Sequence, residues 1–358
     1  MTRWLRSGLA VCAALLMSMA STPATAEPIA PAWMEEPQEA ETAPRVVAIG
    51  DVHGDHEAFR AIVEAAGLVN ADGAWIGGDA TLLQVGDVAN RGPNSMPIIH
   101  DLMRLRDEAA AADGRVIVLI GNHEAMNVLG DIRYVHENDF AAFRTEESDR
   151  VLRRYYRHNQ ARIERAYRRQ QPALSEDQIR RLWLRETPLG AAELIMAWGP
   201  EGEIGQWLAG NPAVAKIGDT LFVHAGISTD YAGLSVADIN ARVAEAIAER
   251  DDSNTSILND PDGPLWYRGY FLRDERGEIA LIPPEDAEPE IATVLAAHDV
   301  SRIVVGHTPS LGGIRMLLDG RLIGIDTGIS DYYGGPRTYL EIVGDTVTAH
   351  VVGEGESP

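Results

Sequence analysis

Six polar side chains, each placed just after a short apolar run, are the residues of this sequence best suited to chemistry. Asp51 and His53 follow Val46-Val47-Ala48-Ile49, Asp87 follows Leu82-Leu83-Gln84-Val85, and Asn122 follows the run from Val116 to Ile120. His224 follows Leu221-Phe222-Val223, and His307 follows Ile303-Val304-Val305. Two carboxylates, three imidazoles and an amide oxygen suit divalent cations of borderline hardness such as Mn, Fe or Zn. The set is large enough for two ions if one carboxylate bridges them, and Asp87 is the natural bridge. Asp51 and His53 stand two residues apart, so both can meet one ion where a strand leaves its sheet. Two ions ~3.5–4 Å apart can polarise a phosphoryl group and hold a hydroxide for in-line attack on phosphorus. Such chemistry needs no side-chain nucleophile, and the sequence has no G-x-S-x-G elbow to supply one.

The elements that would position these residues follow from the same runs. Short apolar segments bounded by Gly and turn residues read as buried strands. Each polar cluster then lies at the carboxyl end of a strand, where open α/β sheets place their ligands. Helical stretches from His56 to Ala66 and from Ser95 to Ala112 alternate with the early strands, which is α/β order. Leu322 to Ile325 forms another such run; Asp326 after it and Tyr332-Tyr333 have two readings, a border of the site or a strand-end turn, and local turn chemistry favours the turn. From about residue 130 to 212 the pattern changes to a helical insertion. Within it Arg150 to Arg169 holds eight arginines against one acid, Glu164, with Leu152, Tyr155, Tyr156, Ile163 and Tyr167 at helical spacing. An exposed amphipathic helix explains that composition; a sharper reading is a basic flap, with Arg153, Arg154 and Arg157 attracting phosphorylated substrates. Ser175 and Gln178 form a capping box that opens another helix, and Arg321 to Val352 alternates like strands.

Composition limits the function classes. The chain has 358 residues, 54 acids and 31 bases, so its formal charge is −23. That balance disfavours stable nucleic-acid binding. Lys216 is the sole lysine, and Cys12 the sole cysteine, which excludes a disulfide framework or a cysteine zinc site. Arg3 and Arg6, the apolar run from Leu9 to Met19, and Ala24-Thr25-Ala26 have the order of a secretory signal peptide spanning residues 1–26. The expected product is periplasmic or secreted, with no membrane span after cleavage. Residues 27–44 carry five Glu and four Pro and form an acidic leader; residues 45–352 are the folded domain, and 353–358 a tail.

Gly50-Asp51-Val52-His53-Gly54, Gly86-Asp87, Gly121-Asn122-His123-Glu124, His224 and Gly306-His307 resemble the ordered motifs of calcineurin-like metallophosphoesterases. Asn90-Arg91-Gly92 and Trp266-Tyr267-Arg268-Gly269 look more like the phosphoprotein-phosphatase branch, and the bacterial Shewanella-like protein phosphatases are the most similar group. The resemblance implies an α/β fold: a two-layer β-sandwich flanked by helices (αββα). It implies that Asp51, His53 and Asp87 hold one metal and that Asp87, Asn122, His224 and His307 hold the other. Arg91 and Arg268 would grip the phosphate, His123 would protonate the leaving oxygen, and Glu124 would support the ligands from behind. The implied enzyme is a phosphomonoesterase acting on a phosphorylated protein, tyrosine or serine/threonine, or on a small phosphomonoester. A nucleotide or dinucleoside-polyphosphate hydrolase, or a broad phosphate scavenger, would use the same site. The chain departs from the branch at Asn90, where Asp usually orients the acid histidine.

Overall fold

Short strands buried on both faces form the centre of this protein in a computed structural model that describes residues 45–275 and 278–353. The expected signal peptide, the acidic leader and the tail beyond Gly353 lie outside the described residues. The first five-stranded sheet comprises β1 (Arg45–Ile49), β2 (Thr81–Gln84), β3 (Arg115–Val118), β11 (Thr338–Val343) and β12 (Thr346–Val351), in the order β12-β11-β1-β2-β3. The second comprises β4 (Val214–Ile217), β5 (Thr220–Val223), β8 (Arg302–Val305), β9 (Arg315–Leu317) and β10 (Leu322–Gly324), in the order β4-β5-β8-β10-β9. β6 (Leu272–Glu275) and β7 (Glu278–Leu281) pair as a separate hairpin.

Alternation along the strands builds the layers. Val46, Ala48, Leu83 and Val85 of the first sheet pack against Phe222, Val304 and Ile323 of the second. Their neighbours Val47, Ile49 and Leu82 turn the other way, into a core shared with Phe59 and Ile62 of α1 (His56–Ala65) and with Ile98 and Leu102 of α2 (Ser95–Ala110). Burial on both faces is why these strands read as unbroken apolar runs. The architecture is the expected two-layer sandwich with helices outside it. Gln84, buried inside one of these runs, bonds Gly50 O, Gly86 O and the Gly86 N–H; a polar residue there without such partners would cost several kcal/mol, on the order of an unpaired buried group.

In each sheet three strands run parallel, β1-β2-β3 and β5-β8-β10. Parallel strands bring their carboxyl ends to one edge, so the loops after all six open toward a common region. The last of the first trio runs straight into α3 (Asn122–Leu129). Five helices then separate α3 from β4: α4 (Glu137–Phe143), α5 (Ser148–Gln170), α6 (Glu176–Glu186), α7 (Ala191–Trp198) and α8 (Glu203–Ala209). Ser175 and Gln178 make the capping box of α6. Leu152 and Tyr156 of α5 pack on Trp183 of α6 in a small core of their own. The remaining helices, α9 (Val236–Glu249) and α10 (Pro284–His298), cover the second sheet through Val243, Ile247, Ile291 and Val294. No helix among the described residues is long and apolar enough to cross a membrane.

Candidate metal centre

The loops at the strand ends are tight because the side chains they carry occupy the space next to glycines. A Cβ on Gly121 would land on the carboxylate and backbone nitrogen of Asp87 and 2.8 Å from Glu124 Oε2. A Cβ on Gly306 would collide with the carboxylate of Asp51. Strain collects at the same place: His53, Asp87, Asn90, Arg91 and His307 all adopt positive φ, between 43° and 72°. Non-glycine residues hold that conformation at a cost of ~1–3 kcal/mol each, and they do so where function over-determines the backbone.

Glu124, in the first turn of α3, fixes the Asp87 loop. Its Oε2 accepts from the backbone N–H of Asp87 (2.8 Å) and Gly121 (2.9 Å), and its Oε1 from Val88 (3.0 Å) and Ala89 (3.2 Å). Asp87 thereby points into the centre, where its Oδ1 accepts from the His123 N–H at 2.9 Å. Its two oxygens lie 3.6 Å from His53 Nε2 and 3.4 Å from His224 Nε2. The ligand atoms of His53, Asp87 and His123 fall within 4.8 Å of one another, as do those of Asp87, His224 and His307. Asp87 belongs to both groups, the position of a bridge. Asp51 stands outside these two triplets; its carboxylate accepts from the His307 N–H at 3.0 and 3.2 Å.

Each of the three expected histidine ligands has one ring nitrogen on a backbone carbonyl. His53 Nδ1 lies 3.2 Å from Ala89 O, His224 Nδ1 3.0 Å from Val85 O, and His307 Nε2 3.2 Å from Trp266 O. Donation to a carbonyl leaves the other nitrogen as a lone pair, the arrangement typical of metal-ligating histidines. Burial keeps the rings neutral, pushing His53 down to about 3, His224 to about 4, and His307 well below its ordinary range. The lone pair of His224 Nε2 then faces the carbonyl oxygen of Asn122 at only 3.0 Å. A neutral imidazole cannot donate to both Val85 and Asn122, so with the Asn122 amide oxygen turned to the ring one acceptor meets another, and a cation bound to both relieves the contact. The carboxylates make the same demand. Burial first, then the field of Asp326, pushes Asp87 up to about 7 against the pull of the His123 N–H and the two arginines. The donor set therefore fits divalent metals.

His123 differs from those three. Asn90 Nδ2 lies 3.1 Å from His123 Nδ1 and also donates to Asn127 Oδ1, while Asn127 Nδ2 returns a bond to Asn90 Oδ1. A donor at Nδ1 makes that nitrogen the acceptor and puts the proton on Nε2, which faces Asp87 Oδ2 at 3.8 Å. The ring is thus arranged to give a proton rather than a lone pair. Arg91 lies beside it, its guanidinium carbon 4.6, 5.1 and 5.3 Å from the rings of Tyr134, Tyr332 and Tyr333. Its Nε is buried without a hydrogen-bond partner among the described residues. Arg268 donates to His307 O (2.7 Å) and Thr308 Oγ1 (3.3 Å).

Two residues that the sequence left open between site border and turn, Asp326 and Tyr333, lie at the centre, and a third neighbour, Tyr134, escaped the sequence reading. Asp326 forms the expected turn, accepting from the Gly328 N–H at 2.9 Å, but it is also buried beside Asp51 and Arg268, and burial pushes it up to about 6. Tyr333 is not remote either: its ring lies 5.6 Å from that of His53. Tyr134, in the segment after α3, packs 5.1 Å from the ring of His123, and its carbonyl accepts from the Arg91 N–H at 2.8 Å. No local pattern marks Tyr134; only the fold brings it there.

Residues 44–311 match the family described as calcineurin-like phosphoesterase. Shewanella-like protein phosphatase 2 of Arabidopsis thaliana is 30% identical over 295 residues, covering 80% of this chain and 71% of its own. Shewanella-like protein phosphatase 1 of Plasmodium berghei is 28% identical over 308 residues, covering 83% and 71%. The crystal structure of a cold-active protein-tyrosine phosphatase from a psychrophilic Shewanella species superimposes with a TM-score of 0.61 at 26% identity, covering 87% of this chain and 80% of that one.

Proposed function

The chain belongs to the calcineurin-like phosphoesterase family, a hydrolase of phosphate esters, and from that premise we propose that it is a dinuclear-metal phosphomonoesterase acting on phosphoproteins. The observation that carries the proposal is the acceptor-to-acceptor contact of His224 Nε2 and Asn122 Oδ1, beside an Asp87 carboxylate common to both candidate ligand groups. In this reading Asp51, His53 and Asp87 hold one ion, and Asp87, Asn122, His224 and His307 the other, the ions being Mn, Fe or Zn. Bound there, two divalent ions supply an acidified water and polarise the phosphoryl oxygens.

The chain's own residues do the rest. The buried, unfilled Nε of half-buried Arg91 and the guanidinium of Arg268 would face a substrate phosphate, and a monoester dianion has three terminal oxygens for them to grip. His123 offers its Nε2–H as a hydrogen bond to the leaving oxygen, and Asn90 keeps that hydrogen on Nε2. Tyr134, Tyr332 and Tyr333 hold Arg91 by stacking and give the mouth of the site an aromatic rim. That rim and the neutral partner of His123 favour an aryl leaving group, phosphotyrosine included, because a phenolate needs less help from an acid than a serine alkoxide does. The names of the relatives support a protein substrate. The order of Arg3, the apolar run and Ala24-Thr25-Ala26 supports export to the periplasm or beyond.

A panel of p-nitrophenyl phosphate, bis-p-nitrophenyl phosphate, phosphotyrosine and phosphoserine peptides and dinucleotides, with added Mn²⁺, tests the reading. Phosphomonoesters should be turned over, phosphopeptides among the best. Faster cleavage of the diester or of dinucleotides would replace it with the nucleotide-hydrolase alternative.

A further inference from the structure

A cleft of about 800 Å³ opens between α5, α6 and the strip from Leu129 to Arg133, a volume within the usual range for ligand sites. One wall is aromatic: Tyr155 and Trp183 stack at 6.1 Å with planes 13° apart, and Tyr167 lines the cleft next to them. The other end is cationic. Arg162 Nε and Arg169 Nη2 stand 3.6 and 3.7 Å from the same oxygen of Asp252. Arg250 lies behind the wall: a Cβ on Gly130 would touch Arg250 Nη2 at 3.4 Å and Arg162 Nη1 at 3.8 Å. The Nε and Nη2 of Arg250 are buried without a hydrogen-bond partner among the described residues. Two guanidiniums thus share one carboxylate, with a third behind the wall, in a protein whose formal charge is −23.

The near edge of the cleft adjoins the metal centre along the chain. Leu129 follows His123 by six residues on α3, a rise of ~9 Å. The Leu129–Arg133 strip runs on into Tyr134, whose ring packs on His123 and Arg91. Nine ångströms is the reach of about three extended residues at ~3.3 Å each.

We propose that this cleft is a docking subsite for an acidic segment of the phosphoprotein substrate, with carboxylates about three to five positions from the phosphorylated residue meeting Arg162 and Arg169. An apolar side chain of the same segment lies against Tyr155, Tyr167 and Trp183. The proposal rests on the phosphoprotein-phosphatase reading. Asp131, Glu186 and Asp252 line the cleft together with Arg133, Arg162 and Arg169, so a densely charged polyphosphate would meet more repulsion than a peptide with one or two carboxylates. The basic flap is thereby relocated. Arg153 of α5 is engaged with Asp149 at 2.9 Å, whereas Arg162 and Arg169 face the cleft.

The test uses the metal-loaded protein and three phosphopeptides that share a core but carry acidic, neutral or basic residues three to five positions from the phosphate. The acidic peptide should have a KM about tenfold below the neutral one, with kcat similar. Arg169→Gln, at a largely exposed side chain, should lower peptide kcat/KM about tenfold relative to p-nitrophenyl phosphate kcat/KM in the same variant. Arg162→Gln should do the same, but Arg162 also donates to Leu129 O, so the exposed position decides if that variant folds poorly. Anisotropy of a labelled, unphosphorylated acidic peptide reads the cleft without turnover, and its binding should weaken in Arg169→Gln. Equal KM for acidic and neutral peptides, unaltered anisotropy in the variant, or displacement of the peptide by ATP at lower concentration than by unlabelled peptide would each overturn the proposal. Failure of the protein to cleave any phosphopeptide while the anisotropy behaves as stated would refute the phosphoprotein reading and the subsite's catalytic role, but not peptide binding itself.

Discussion

Replacing Glu124 by Gln changes one atom and should disturb the whole centre. The carboxylate takes four buried backbone N–H groups, two on each oxygen. Whichever way the new amide is turned, its NH₂ faces two of those donors: either Asp87 and Gly121, or Val88 and Ala89. Each buried N–H left without an acceptor costs ~1–3 kcal/mol, so the variant should lose about 2–6 kcal/mol of stability. The loss falls on the loop that holds Asp87 and Asn90 at positive φ, so metal retention should fall with it. Urea unfolding of the metal-free proteins measures the first effect. It should be run at pH 8, above the value of about 7 to which burial and the Asp87 charge push Glu124, so that an ionised carboxylate is compared with a neutral amide. Metal content after dialysis measures the second. A metal-free Glu124→Gln protein within about 0.5 kcal/mol of the parent, well under the cost of one unmet N–H, would refute the reasoning.

Metal uptake should depend on pH through Asp87, which burial pushes up to about 7. A carboxylate must lose its proton to ligate, and burial with the charges of Asp326 and Asp87 also pushes Asp51 well above its ordinary range, so Mn²⁺ affinity should fall at least tenfold per unit as the pH drops below 7. His53 at about 3 and His224 at about 4 add nothing in that window; a calorimetric titration that is flat from pH 5.5 to 8.5 would contradict this. Asn90→Asp would accept from His123 Nδ1 and favour the charged ring. It should speed phosphoserine hydrolysis more than phosphotyrosine hydrolysis and move the alkaline limb of the rate profile upward; equal factors on both substrates and an unmoved limb would show that Asn90 does not set the preference. Gly306→Ala drives a methyl into the Asp51 carboxylate and to within 2.7 Å of Val85. Overpacking of that kind costs ~1–3 kcal/mol, so the protein should still fold while turnover drops at least tenfold; near-parental kcat/KM would show that Asp51 can move without consequence.

Much of this was readable from the chain because parallel strands buried on both faces leave a plain signature. The run Val46 to Ile49 is apolar at every position, one set facing the other sheet and one set the helices, and the polar residues that end such runs must share an edge. What the chain hides is how distant segments meet. Asp-Thr-Gly at Asp326 does make a turn, and turn chemistry was the sound local reading, yet the same carboxylate is buried beside Asp51. Tyr134 and Tyr333 reach the centre from segments with no periodicity to mark them. Along α5 the spacing shows one helix rich in arginine, but only tertiary packing separates Arg162 and Arg169, facing the cleft, from Arg153, paired on the exposed side.

The central claim is that Asp87 lies between two metal ions, and elemental analysis paired with turnover tests it most directly. Purified parent protein should carry two equivalents of divalent metal per chain and hydrolyse p-nitrophenyl phosphate. Asp87→Ala, with the fold confirmed by circular dichroism, should lose both ions or hold them misplaced, and should turn over at less than about a hundredth of the parental rate, on the scale of removing a catalytic metal's support. Two ions still bound in Asp87→Ala, with activity near that of the parent, would contradict the account.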